Sequence, residues 1–215
     1  AFLHVKFPLL TSKVNYRNHR KIAVVDGLVG FIGGMNVADR YVRGTAQGVW
    51  RDTHFRVEGC GVAGLQASFL SDWSATTRQN VSGPAYYPAA GRFTDNIMQV
   101  VASGPFGKWR TLLQADSFAV SRAARRIWIE TPYCLPSDAL NMALQEAALA
   151  GVDVRLMLPG HSDSRVVDLA GRSYLDDLMK AGVKIAFYTP GFLHSKLLIV
   201  DDDLAVIGSA NMDFR

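Results

Sequence analysis
From Arg126 onward the apolar positions change period in a regular alternation. A β-rich run, Ile127 to Glu130, precedes a helical stretch from Ser137 to Ala150, and a strand from Val152 to Leu158 ends at Pro159-Gly160. An amphipathic stretch from about Ser164 to Ala181 follows, then a strand from Val183 to Tyr188 and two apolar runs, Lys196 to Val200 and Leu204 to Ile207. The order reads as βαβαβ closed by a hairpin, hence a largely parallel sheet covered by helices. Ser137 and Asp138, after Pro136, supply the start of the first of those helices.

The earlier part is sparser. A strand from about Asn18 to Val25 turns at Asp26-Gly27 into Leu28 to Ile32, and a short helix is expected from near Asn36 to about Gly44. A strand from Thr53 to Val57 and a helix from Val62 to Trp73 complete it. Ser, Gly, Pro and Tyr then collect between Thr76 and about Asn96, which marks a connection. The expected organisation is a first half over 1–75, a linker over 76–96 and a second half over 97–215.

Composition narrows the class without naming a substrate. The 215 residues are 49% hydrophobic and 20% charged, which excludes disordered and collagen-like chains, and a net charge of +4 favours anionic partners. Two cysteines, Cys60 and Cys134, are too few for a disulfide scaffold and stand in no zinc-type cluster, so both are expected to be buried and structural. No run approaches the roughly 18 to 20 apolar residues needed to cross a bilayer. The chain starts at Ala1 rather than Met, and it reads as a fragment.

A comparison of the chain with itself is more specific. His19-Arg20-Lys21, Asp26 and Gly33-Gly34-Met35-Asn36 reappear as His194-Ser195-Lys196, Asp201 and Gly208-Ser209-Ala210-Asn211, every position displaced by 175 residues. Chance would yield one HxKxxxxD in roughly one such chain in a hundred, so two copies at equal spacing are not accidental. On a strand, residues two apart share a face, and each copy therefore delivers one imidazole and one ammonium to the same side. The glycines allow close backbone approach, and a helix beginning near each Asn would offer free N–H groups to an anion. The pattern is suited to phosphate.

A lysine beside each histidine repels a divalent cation and already neutralises phosphate charge, so neither a metal nor another cofactor is expected. Two histidines suggest covalent chemistry in which one attacks phosphorus while the other donates a proton to the departing alkoxide and then activates the incoming hydroxyl.

With these motifs the sequence resembles the phospholipase D superfamily, marked by a duplicated HxKxxxxD followed by G(G/S)xN. Asn15-Tyr16-Arg17-Asn18, Phe31-Ile32, Trp50-Arg51-Asp52-Thr53, Ser173-Tyr174, Gly191-Phe192-Leu193 and Met212-Asp213 resemble the bacterial cardiolipin synthase branch, and the likeness runs along essentially the whole chain. The resemblance implies an α/β fold, a pseudo-twofold pair of mixed or parallel sheets flanked by helices, with one active site where the two motifs meet. It also implies transfer of a phosphatidyl group between two phosphatidylglycerol molecules with release of glycerol, at the cytoplasmic membrane of a bacterium. The expected partners are anionic phospholipid and a membrane surface, with no nucleic acid.

Carried over, the catalytic set is His19, Lys21, Asp26, His194, Lys196 and Asp201, with His19 as nucleophile and His194 as acid/base. Asn36, Asn211, Gly33, Gly34, Gly208 and Ser209 would bind the phosphate. Asp26 and Asp201 sit at hairpin turns and are more suited to organising the motif than to moving protons. Asp52 occupies the region of the acid that orients His194, and its counterpart for His19 is expected beyond Arg215. Only 18 residues precede His19, so the first half reads as truncated.

The same site could hydrolyse a phosphodiester, as a phospholipase D or a nuclease does, although the branch signatures disfavour a nuclease. A truncated, inactive lipid-binding fragment is the remaining alternative, and intact His, Lys and Asn in both copies argue against it. Elsewhere, His54 reads as structural, while His161 and Tyr133 stand near a strand end where ligands of parallel sheets bind. Arg122, Arg125 and Arg126 read as a solvated helix face, and Met142, Met157 and Met179 as core filling.

Overall fold
A computed structural model describes residues 18–89, 95–104, 108–162 and 165–213. Residues 1–17, among them Asn15, Tyr16 and Arg17 of the branch signature, lie outside the described residues, as do Ser164 and part of the linker.

The first half is a short antiparallel sheet backed by one helix. Strands β1 (Ile22–Val25) and β2 (Val29–Gly33) form a hairpin whose turn places Asp26 and Gly27 at φ 53° and 68°. That left-handed pair suits Asp-Gly and matches the natural twist of the strands. After β3 (Val49–Arg51), strand β4 (His54–Glu58) pairs with β2, giving the order β1-β2-β4. Helix α1 (Gly61–Thr77) buries Val62, Leu65 and Leu70 beneath it. Where a helix was expected between Asn36 and Gly44, only a 3-10 turn forms, Asp39–Tyr41.

The second half holds the main core. Helix α2 (Thr111–Ser121) leads into β5 (Arg126–Glu130), and a short β6 (Cys134–Leu135) precedes α3 (Asp138–Leu149). The Ser137 hydroxyl caps α3 by accepting from the Leu140 N–H at 3.4 Å. There follow β7 (Asp153–Pro159), α4 (Arg165–Lys180), β8 (Lys184–Tyr188), β9 (Gly191–Leu193), β10 (Leu197–Val200), β11 (Leu204–Ile207) and β12 (Met212–Asp213). The five-stranded sheet runs β11-β10-β5-β7-β8. It is mixed rather than largely parallel: β5, β7 and β8 are parallel, whereas β10 runs antiparallel to β5 and to β11.

The chain steps in one direction from β5 to β7 to β8. Right-handed crossovers then put α3 and α4 on the same face. That face carries Ile127, Ile129, Val154, Leu156, Leu198 and Val200, which join Leu140, Leu144, Leu175 and Leu178 in one buried cluster. Trp128 points the other way by strand alternation, with the Arg126 and Arg155 guanidinium groups 4.8 and 5.3 Å from its ring centre.

Several expectations fail on burial. Met142 and Met179 are exposed rather than core, because they fall on the outer faces of α3 and α4. Cys60 is exposed at the start of α1, whereas Cys134 is buried and its thiol is pushed up to about 12. Arg125 and Arg126 lie past the end of α2 and ion-pair with Asp202, so they do not form a helix face. None of the described helices is long and apolar enough to cross a membrane.

Candidate active site
The duplicated motif folds into duplicated hairpins. The β10–β11 pair repeats the β1–β2 pair in register, Leu197 opposite Ile207 as Ile22 is opposite Ile32. What joins the copies is β3, which pairs in parallel with β9 and so ties Val49–Arg51 to Gly191–Leu193. The two chains run on together past the pairing. Arg51 C=O accepts from the His194 N–H at 2.7 Å, and Asp52 therefore arrives beside the His194 ring.

His194 is held from several directions. Its Nδ1 lies 2.6 Å from Asp52 Oδ2, and the Asp52 side chain is fully buried. The other Asp52 oxygen accepts from the Thr53 N–H at 2.8 Å. With a carboxylate against it, Nδ1 carries the proton, which leaves Nε2 as the nitrogen available for chemistry. The Tyr41 hydroxyl also reaches Nδ1, at 3.0 Å, and itself accepts from Asn36 Nδ2 at 3.3 Å. Trp50 lies 5.1 Å from the imidazole, centre to centre, and 4.4 Å from Phe192. The Thr53 hydroxyl donates to Ser195 Oγ at 3.1 Å, and Lys196 Nζ donates to the His194 carbonyl.

His19 reaches the second copy directly. Its Nδ1 lies 3.2 Å from the Ser209 carbonyl and 3.1 Å from Lys21 Nζ, which also donates to the His19 carbonyl at 2.7 Å. One ring nitrogen cannot donate to the carbonyl and accept from the ammonium at once, so these contacts select opposite tautomers. Donation to Ser209 frees Nε2, the form a nucleophile requires.

The electrostatics tie the four groups together. Burial holds His19 below its ordinary pKa, and the charges of Lys21, Lys196 and His194 act in the same direction, against the Ser209 carbonyl. Burial also lowers His194; Lys196 and Lys21 add to this, while the hydrogen bond and charge of Asp52 oppose it. Lys21 is lowered by burial and by Arg40, against Asp52. Each lysine thus acts on the histidine of the other copy, as groups in a single site must. A phosphodiester anion would offset the clustered positive charge and favour the protonated forms.

Other residues from the sequence reading take different parts. Gly33 and Gly34 are not an anion cradle: a Cβ on Gly33 would come within 2.4 Å of the Thr53 carbonyl, and one on Gly34 within 2.3 Å of Asp52 Oδ1. These glycines make room for the 52–54 segment, and the Gly34 N–H is already given to Thr53. The Gly208 N–H faces the Lys196 carbonyl at 3.4 Å, and Ser209 contributes its carbonyl to His19. No helix opens at either Asn among the described residues: a three-residue 3-10 turn follows Asn36, and β12 follows Asn211. Asn211 Nδ2 lies 3.4 Å from Asp213 Oδ2.

Asp26 and Asp201 lie in the hairpin turns where the sequence reading set them as organisers of the motif. Both sit at positive φ in hairpin turns, at the far ends of β1 and β10 from the lysines. The Asp201 carboxylate accepts from the backbone N–H groups of Ala124, Arg125 and Arg126 at 2.8–2.9 Å, which hold it below the usual range. It pins the hairpin to the start of β5. Tyr133 lines a shallow open cleft with Leu158, Leu175 and Phe187, whereas His161 is exposed and does not line it. His54 packs its ring against Gly33, and burial lowers its pKa. Among the described residues, no group of three His, Cys, Asp or Glu could hold a metal ion. The sequence reading assigned no role to Arg40 or Tyr41; the Trp50-to-Thr53 and Gly191-to-Leu193 signatures were the available signals for Trp50, Thr53 and Phe192.

Comparison with known proteins matches these features. The family model described as "Cardiolipin synthase, PLD-like domain" covers residues 119–215. Cardiolipin synthase 2 of Bacillus cereus is 49% identical, over 100% of this chain and 42% of that protein. Cardiolipin synthase of Alkalihalophilus pseudofirmus is 44% identical, over 100% of this chain and 43% of that protein. The chain therefore spans less than half the length of these relatives. Among solved structures, phosphatidylserine synthase of Haemophilus influenzae Rd KW20 superposes with a TM-score of 0.58 at 14% identity, covering 86% of this chain and 52% of that one, a likeness of fold.

Proposed function
Because this chain belongs to the phospholipase D superfamily, in the branch of the cardiolipin synthases, we propose that the whole protein transfers a phosphatidyl group from one phosphatidylglycerol to another and releases glycerol. The observation that carries the reading is the meeting of the two motif copies, through His19 at the Ser209 carbonyl and through the β3–β9 pairing that brings Asp52 to His194.

In the first step His19 Nε2 attacks phosphorus, a P–N bond forms, and the P–O bond to the headgroup glycerol breaks as that oxygen takes a proton from His194. In the second, the hydroxyl of another phosphatidylglycerol gives its proton to His194 and attacks phosphorus, and the P–N bond breaks. Asp52 supports the acid/base assignment of His194, since a carboxylate on Nδ1 stabilises the imidazolium that the first step consumes and the second regenerates. Lys21, Lys196, Asn36 and Asn211 bind the phosphate oxygens. Phosphate held by two ammonium groups needs no metal and no other cofactor. The substrate is a membrane lipid, so the protein works at the bacterial cytoplasmic membrane, and nucleic acid is not its partner.

The test uses full-length protein and phosphatidylglycerol vesicles in chelator. Cardiolipin and glycerol in equal amounts are expected, with turnover lost in His19→Ala and His194→Ala. Phosphatidic acid alone would assign a hydrolase, and cleavage of single-stranded DNA a nuclease. Undiminished product from either variant would overturn the assigned chemistry.

A further inference from the structure
The two-histidine site accounts for the charge of one phosphate, yet the transfer proposed above brings together two anions. The acceptor is itself a phosphodiester, and its hydroxyl must approach an already anionic phosphoryl centre. Repulsion between like charges has to be offset by a second cation placed a short way beyond the first site.

Arg40 occupies such a place. It lies in the Asp39–Tyr41 turn, next to the tyrosine that touches His194. Its guanidinium carbon sits 4.4 Å from the centre of the Trp50 ring, and that ring is 5.1 Å from the imidazole of His194. Stacking on an aromatic face leaves the guanidinium edge, with its fork of N–H donors, free for a planar bidentate partner. The Arg40 Nε is buried and has no hydrogen-bond partner, and among the described residues no carboxylate lies within ion-pair distance of the group. Buried, unpaired donors are rare in folded proteins because each forfeits its solvation without return. The charge of Arg40 is felt at Lys21 and at Tyr41, which sets it inside the same electrostatic field.

We propose that Arg40 binds the phosphodiester of the acceptor lipid, forming a second anion site one aromatic ring away from the reacting phosphate. In the product, two phosphates are joined through the three carbons of one glycerol, so the second site must lie close to the first but not on it. Trp50 sets that spacing. It stacks on Arg40 and closes over His194, so acceptor binding and proton transfer share one wall. The site selects an alcohol that carries its own phosphate over a neutral alcohol or water.

The experiment is a competition in the full-length protein, with phosphatidylglycerol as donor and with phosphatidylglycerol and ethylene glycol as rival acceptors. The quantity read is the ratio of cardiolipin to phosphatidylethylene glycol. Arg40→Gln is expected to lower that ratio about tenfold, equivalent to about 1.4 kcal/mol. Arg40→Lys, which keeps the charge and loses the fork, is expected to give an intermediate ratio. Wild-type synthesis of cardiolipin with a ratio unmoved in Arg40→Gln overturns this inference alone, as does an equal fall of both products. Should Arg40→Gln be inactive, Arg40→Lys decides: a lowered ratio supports the acceptor site, and the wild-type ratio overturns it. Wild-type protein that forms phosphatidylethylene glycol but no cardiolipin overturns the transfer reading and this inference with it.

Discussion

Asp52→Asn changes a charge and almost nothing else, which makes it the sharpest probe of the site. In the native protein Oδ1 accepts from the Thr53 N–H at 2.8 Å while Oδ2 faces His194 Nδ1 at 2.6 Å, in a side chain without solvent exposure. An asparagine must keep its oxygen on the Thr53 N–H, because an amide nitrogen cannot accept there. Its NH2 group then turns to Nδ1 and can only donate, which selects the tautomer opposite to the native one and opposes the imidazolium. A hydrogen bond to a charged group contributes about 1.5–3 kcal/mol, or about one to two pH units on the histidine. Burial, Lys196 and Lys21, all of which lower the His194 pKa, are then unopposed. The alkaline limb of kcat/KM should therefore move down by about one to two units, since the protonated acid is the form that releases glycerol. At pH 7.5, with the tautomer also wrong, cardiolipin formation should fall on the order of 10²–10³-fold. The assay is the pH–rate profile of full-length protein between pH 5.5 and 9, with thermal unfolding as a check on folding. A folded variant whose profile is merely scaled, or one that keeps half its activity, would refute the role assigned to Asp52.

Gly34→Ala should act through the same carboxylate, because its Cβ would fall 2.3 Å from Asp52 Oδ1; displacing that group by even 1 Å predicts a loss of about 10²-fold, and activity within twofold of wild type would exclude the coupling. Asp116 is held up to about 6 by burial, and one of its oxygens is buried without a partner. A raised carboxylate pKa means that its contribution to stability is full below about 3.8 and is lost as the pH rises through about 6. Asp116→Asn should therefore gain about 1–2 kcal/mol in urea unfolding at pH 8 and much less at pH 4.5; equal effects at both would contradict the titration. Iodoacetamide should label exposed Cys60 in native protein and reach Cys134, buried with its thiol near 12, only after unfolding. Peptide mass mapping would reveal any native labelling of Cys134.

The local elements were legible because their causes are local. Alternating apolar residues mark β5 and β7, Ser137 caps α3, Asp-Gly makes the first hairpin turn, and His-x-Lys ahead of each hairpin recurs at constant spacing. Each rests on a period or a turn residue that neighbours in sequence suffice to specify. The constant spacing also allowed the duplication and the candidate histidines and lysines to be named from the sequence, whereas Asp52 was named only through the family resemblance. Misreadings arose where the partner was remote. Gly34 lies in a phosphate-like motif but yields its space to Asp52, whereas Asp201, read at its turn as an organiser of the motif, accepts from the backbone of 124–126.

Only the tertiary structure decided what meets what. The β3–β9 pairing joins segments 142 residues apart, as Asp52 and His194 are, and no periodicity within either segment announces the other. From that pairing follow the Tyr41 and Trp50 contacts with His194 and the place of Arg40 beside them. Likewise, which methionines reach the core depends on which helix face meets the sheet, and Met142 and Met179 fall outside. The division has one physical origin. Backbone preference and side-chain period are set within a few residues, whereas register between distant strands is chosen by the total free energy of packing and hydrogen bonding over the assembled molecule.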